Sequence, residues 1–242
     1  MNILQLQLRY KGSTIFERAL PPTIGDTFVL ETAGKYCEDD ISAEVVSSLP
    51  STYQAVEYLE STGTQYINSG ISLNDKDFVI SCDFEQSQYS TYYEQALFSI
   101  WTSYYNYWNC FILNNGITVY TEGHHQITNS IIIGDRRKLT LVRDGSNWVL
   151  SYKYQKIEWS YTPTRINPTT LKIFTRGDTP NQSLSDTHTK MYGLEIEIEG
   201  NKEADFIPCY RKADHKPGMY DLVTNTFFTN QGTGEFVLGP DV

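Results

Sequence analysis

The chain has 242 residues, is 40% hydrophobic and 14% aromatic, and carries a formal charge of −10. That length allows one sizeable β domain with a small appendage. The 18 tyrosines, with no runs of good helix formers, predict mostly β structure. Acid spread along the whole chain disfavours phosphate backbones and anionic headgroups, so neither a nucleic-acid nor a membrane partner is expected.

MNILQLQLRY lacks the basic start and apolar stretch of a secretory leader. No run approaches the ~18 apolar residues of a membrane span. Cys37, Cys82, Cys110 and Cys209 lie far apart with no C-x-x-C pair, which argues against a zinc or redox motif. Cys82 and Cys110 sit in apolar strand patterns and read as buried free thiols, as expected for a chain made in a reducing cytoplasm.

Residues 1–48 form a distinct first segment. Leu4, Leu6, Leu8 and Tyr10 alternate with Gln5, Gln7 and Arg9, a strand signal. TFVLE and ISAEVV read as further strands, with Pro21-Pro22 between. So short a β segment buries little by itself and is expected to dock on the main domain, on copies of itself or on a larger partner. SLPST, residues 48–52, marks the boundary, with the main domain at 49–242.

After the boundary comes YLESTGTQYINSG. It lacks the lysine and following helix of a phosphate loop, so Gly63 is predicted to make a positive-φ turn between strands. DFVISCDF places Phe78, Ile80, Cys82 and Phe84 on one face. QALFSIW and NCFILNNGITVY follow, the latter with Asn115-Gly116 as a hairpin candidate. RRKLTLVRDGSNWVLSYKY is a hairpin around Asp144-Gly145. MYGLEIEIEG predicts Tyr192, Leu194, Ile196 and Ile198 facing inward. DFIPCY, GMYDLVTNTFFTN and GEFVL close the chain. Strands at this spacing predict an all-β, jelly-roll type sandwich of two sheets.

VEYLESTGTQYINSGI near the start of the domain, with DFIPCYRKADHKPGMYDLVTNTFFTNQGTGEFVLGPDV at its end, resembles proteins of bacteriophages and prophages of gut bacteria. The domain of those proteins is similar to the concanavalin A-like lectin/glucanase sandwich, close to laminin-G modules. GKYCEDDISAEV resembles a small β motif of phage tail and fibre proteins. The resemblance implies a virion structural or adhesion component made in the host cytoplasm, without deciding between tail and head.

Several groups are candidates for chemistry. Tyr89, Tyr92, Tyr93, Trp101, Tyr104, Tyr105, Tyr107 and Trp108 crowd one stretch. Trp101, Tyr104, Tyr105, Tyr107 and Trp108 are the candidate ligand contacts, since flat rings stack on sugars and phenols bond hydroxyls. The same rings could instead fill a core or an oligomer interface. Glu195, Glu197 and Glu199 share a strand face, and laminarinase-type glucanases use a comparable strand. However, i and i+4 lie about 13 Å apart on a flat strand, against the ~5–5.5 Å of a retaining pair. A solvent-facing polar row opposite an apolar row explains the three fully, and no enzymatic activity is expected. Arg176-Gly177-Asp178 spells an integrin tripeptide but reads as an ordinary turn. His124 and His125 would point to opposite strand faces and share no metal easily; His188 and His215 stand apart. Asp75, Asp77, Asp178 and Asp186 are loop carboxylates without a calcium-loop spacing, so no cofactor and no metal site are expected, while the resemblance to laminin-G modules, some of which hold calcium, leaves calcium open.

The expected function is host-surface glycan adhesion by a phage virion protein of the tail, fibre or baseplate. It would be attached to other virion proteins through residues 1–48 and assembled as a homo-oligomer, with a trimer as first guess from the usual build of fibres and spikes. Capsid decoration or a head-fibre role with purely structural or protein-binding duties is the alternative, and a glycoside hydrolase a further one.

Overall fold

The structure is a computed structural model. It describes residues 4–10, 13–19, 41–47, 49–73, 76–88, 94–100, 108–113, 116–128, 131–163, 169–175 and 188–242. The chain divides into two compact units, Met1–Ser51 and Thr52–Val242, three residues beyond the division expected from SLPST.

In the first unit β1 (Leu4–Tyr10), β2 (Ser13–Ala19) and β3 (Ile41–Ser47) form an antiparallel sheet in the order β2-β1-β3. β1 and β3 are the predicted strands. β2, in STIFERA, was not anticipated, and TFVLE at 27–31 lies outside the described residues.

The second unit begins with β4 (Tyr53–Ala55), β5 (Leu59–Thr62), β6 (Ile67–Ser72), β7 (Phe78–Gln86), β8 (Glu94–Ile100) and β9 (Trp108–Leu113). Next come β10 (Gly116–Tyr120), β11 (His124–Ile127), β12 (Arg137–Asp144), β13 (Asn147–Tyr152), β14 (Gln155–Ser160) and β15 (Thr170–Ile173). It ends with β16 (His188–Ile198), β17 (Asn201–Arg211), β18 (Lys216–Asp221), β19 (Thr226–Thr229) and β20 (Val237–Leu238). The smaller sheet runs β11-β10-β9-β8-β15-β6. The larger runs β14-β13-β12-β7-β16-β17-β18-β19, with β4 on β17, β5 on β16 and β20 on β5. Every pairing is antiparallel, and one apolar cluster is shared by both sheets. The unit is a jelly-roll type β-sandwich, as the strand spacing predicts.

Local chemistry accounts for the turns. Gly63 leaves β5 at φ 114, a conformation that side chains resist. The Gln65 Oε1 accepts from the Thr62 amide across that turn at 2.8 Å. The β12–β13 hairpin pairs Asp144 with Asn147, and Gly145 opens its two-residue loop at φ 59, as a primed hairpin turn requires.

Two side-chain placements need correction. β7 alternates as predicted, with Phe78, Ile80, Cys82 and Phe84 buried. On β16, Leu194, Ile196 and Ile198 are buried, but Tyr192 is not. The β16–β7 register slips between Met191 and Gly193, so Met191 pairs with Phe84 and Gly193 with Asp83. This bulge sets two residues against one. Met191 takes the core position and Tyr192 turns outward, where its hydroxyl donates to Glu85 Oε2 at 2.8 Å and the Arg136 guanidinium lies 3.9 Å over its ring.

The second correction concerns Trp108. Instead of ending a surface loop it opens β9 and is only 6% exposed. It stacks on Phe78 across the sheets at 5.4 Å and 22°, and meets Phe98 and Trp148 edge-on. Buried between the sheets, its faces pack on other rings and are not offered to a ligand.

Candidate functional site

The outer face of the smaller sheet carries a continuous polar row. Trp108, Cys110 and Ile112 of β9, and Ile117 and Val119 of β10, belong to the core. Alternation therefore turns Asn109, Phe111, Thr118 and Tyr120 to the opposite face. The strand registers align one residue from each of the six strands. Asn68 pairs with Lys172, Lys172 with Ser99, Ser99 with Asn109, Asn109 with Tyr120, and Tyr120 with His124. At about 4.8 Å per strand the row is roughly 24 Å long. Beside it runs a second row, in which Ala96 pairs with Phe111, Phe111 with Thr118, and Thr118 with Gln126.

The two ends reach solvent at Asn68 and His124, while Lys172, Ser99, Asn109 and Thr118 in the middle are buried. Some of the middle is satisfied internally: the Ser99 hydroxyl donates to the Thr175 carbonyl at 2.7 Å. At one end Asn68 Oδ1 accepts from the Thr170 hydroxyl at 2.6 Å and the Gly70 amide at 3.1 Å. Asn109 Oδ1 and Thr118 Oγ1 are different. Both are buried and find no hydrogen-bond partner among the described residues, and such an orphaned group costs about 1–3 kcal/mol. Burial also lowers the pKa of the Lys172 ammonium, because desolvation penalises charge. At the far end the His124 ring stands edge-on to Tyr120 (5.1 Å, 82°) and Phe111 (6.1 Å, 88°). The row thus lines up hydroxyl, amide, ammonium and ring groups, with its middle buried and its two ends at solvent.

Trp101, Tyr104, Tyr105 and Tyr107 lie outside the described residues, as do Tyr89, Tyr92, Tyr93, the tripeptide at 176–178, Asp75, Asp186 and Cys37. Glu195 stands on the outer face of the larger sheet, 3.8 Å from the Lys138 ammonium and 3.9 Å from that of Lys202. Glu197 is partly exposed on the same strand. Glu199 has left it for a turn at φ 51, where its carboxylate accepts from the Asp77 amide at 2.8 Å. Asp77 Oδ1 in turn accepts from the Gly145 amide at 2.6 Å. Among the described residues no three His, Cys, Asp or Glu side chains gather as a metal would need. Cys82, Cys110 and Cys209 are buried and free, and burial raises all three thiols, Cys209 to about 12.

His124 and His125 do point to opposite faces. His125 turns inward at the sheet edge and lies flat on Trp159 of β14, at 4.3 Å and 8°, joining an edge strand of each sheet. Burial, and secondarily His124, lower its pKa from the ordinary 6.5. The unfolded chain therefore takes up this proton more readily than the folded one, and stability rises with pH across the interval. The contribution is complete above about pH 6.5 and is lost as pH falls through the lowered folded value. Thermal melts at pH 7 and pH 5 should show a larger loss on acidification in the wild type than in His125→Phe. Equal losses would remove this role.

No family model matches the chain, and no curated protein matches it. Several solved structures are similar, among them two polysaccharide-related proteins. One is an alginate lyase, AlgAT5, from polysaccharide lyase family 7, at 13% identity and a TM-score of 0.39, covering 53% of this chain and 63% of the lyase. The chain therefore spans just under two thirds of that protein. The other is the CBM40 of an IT-sialidase from Ruminococcus gnavus, at 13% identity and a TM-score of 0.41, covering 62% of this chain and 91% of that one. At these values neither likeness bears on function; the fold rests on the paired sheets and their common core.

Proposed function

We propose that the protein binds glycans without cleaving them, along the Asn68-to-His124 row of the smaller sheet. The observation that carries this is a pair of buried oxygens with no hydrogen-bond partner among the described residues, Asn109 Oδ1 within the row aligned across six strands and Thr118 Oγ1 in the row beside it. Sugar hydroxyls both donate and accept, so one ligand would satisfy both oxygens while the Tyr120 and His124 rings flank it. A binding role also agrees with the ion-paired state of Glu195 and the turn position of Glu199. In this reading the domain is displayed on a phage or prophage virion as a homo-oligomer, attached through residues 1–48. Multivalency there lets weak single contacts suffice.

A multimerised form of the full chain, tested on an immobilised glycan array, should retain a defined set of oligosaccharides. Asn109→Ala and Tyr120→Ala should each weaken binding about tenfold, the equivalent of ~1.4 kcal/mol, at a temperature where melting curves show each variant folded. A blank array at high valency would defeat the proposal. So would undiminished binding by Asn109→Ala, which would make the row a packing surface.

A further inference from the structure

We infer that two copies of this chain join edge to edge through β14, in one antiparallel register centred on Ile157. β14 is the last strand on its side of the larger sheet. All of its residues pair with β13, and among the described residues no other strand hydrogen-bonds to it. An open edge of this kind is a template for another strand. Its side chains divide by parity: Ile157 and Trp159 pack on the core, while Lys156, Glu158 and Ser160 are exposed. The Lys156 and Glu158 side chains are 57% and 54% exposed, so the outer side of this edge is open to a partner.

A second β14 fits the edge in few ways. Cross-strand partners share a face, so a register that sets Ile157 opposite Glu158 would turn one copy's inner residues outward. Of the central registers that keep inner with inner, one centred on Lys156 opposes two lysines, and one centred on Glu158 opposes two glutamates. Centring on Ile157 instead sets Lys156 opposite Glu158 of the second copy, and Glu158 opposite its Lys156. The two Ile157 side chains then meet on the core side, and Gln155 stands opposite Trp159. Lys156 and Glu158 already pair within one copy; the dimer extends that pair into a square of alternating charges. The strand is thus self-complementary, as a two-fold interface requires, whereas a run of like charge would repel its own copy. Because inner residues meet inner residues, the two-fold axis runs normal to the larger sheet, and both copies turn the smaller sheet to the same side. That suits the multivalent display proposed above, but the pairing itself does not rest on glycan binding.

Sedimentation velocity of the full chain should show a doubling of mass as concentration rises from roughly 1 µM to 1 mM. Lys156→Glu and Glu158→Lys each put like charges at both crossing points, and each should weaken this association about tenfold or more. Both side chains are exposed, so the melting curves of these variants should stay near wild type. The double exchange Lys156→Glu with Glu158→Lys restores opposite charges and should restore the association. A wild type that never doubles its mass, or a doubling that survives either single reversal, would overturn the inference. Association lost in the single variants and not recovered in the double exchange would overturn it too, since the Ile157-centred register requires that recovery.

Discussion

Trp148→Ala is expected to lower the folding stability of the second unit by about 3–5 kcal/mol, the range for deleting a fully buried aromatic. Trp148 is 0% exposed and stands where the two sheets meet. Its ring is edge-on to Phe78 and to Trp108, and stacks at 5.9 Å on Trp159, its cross-strand partner. Its indole N–H donates to the Tyr161 carbonyl at 3.0 Å, so the alanine variant loses that bond as well as the ring. Trp148→Phe keeps most of the volume and should cost less. Tyr154 in the neighbouring turn is 92% exposed, and Tyr154→Ala should stay within about 0.5 kcal/mol of the wild type. Denaturant titrations of the three variants measure this. A loss under 1 kcal/mol for Trp148→Ala would mean that the aromatic column does not join the sheets.

How much could be read beforehand depended on parity. β7 and the β12–β13 hairpin were legible because each keeps one face in the core, and a period of two survives from end to end. β16 was legible only in part: a bulge shifts parity by one residue, and a single sequence marks it by nothing more than Gly193 beside Tyr192. Trp108 was misplaced because SYYNYW reads as a loop. The alternation Trp108, Cys110, Ile112 would have placed it inward had β9 been started one residue earlier.

The polar row was hidden for a different reason. β8 is buried on both faces, so QALFSI shows no alternation to reveal which residues face out. The row also depends on which strands are neighbours. β15 lies between β8 and β6, and nothing local in TLKI says that Lys172 will stand opposite Ser99 and Asn68. Fold class follows from local periodicity, whereas this site follows from long-range register. The same distinction separates the carboxylates of LEIEIEG, whose outward row was readable, from the amides and hydroxyls of the smaller sheet's row.

Asp221→Ala should be nearly as damaging as the tryptophan variant although it removes few atoms. Asp221 closes β18 and is 1% exposed. Its Oδ1 accepts from the amides of Asp205 (2.8 Å) and Val223 (3.1 Å), and its Oδ2 from the Thr224 amide (3.3 Å) and the Thr224 hydroxyl. One carboxylate thus ties β17 to β18 and shapes the turn into β19, where Asn225 sits at φ 56. Hydrogen bonds to a charged group contribute about 1.5–3 kcal/mol each, and a donor left buried without a partner costs a further share. These bonds act on one side chain and are not additive, so the expected loss is about 3–5 kcal/mol rather than their sum. Asp221→Asn preserves the size and one acceptor oxygen but turns an NH₂ toward the remaining donors, so it should fall between wild type and alanine. Chemical denaturation orders the three, and amide exchange at Val223 and Thr224 should accelerate in the alanine variant ahead of exchange in β7. Wild-type protection at those two amides in Asp221→Ala would show that the turn holds without the carboxylate.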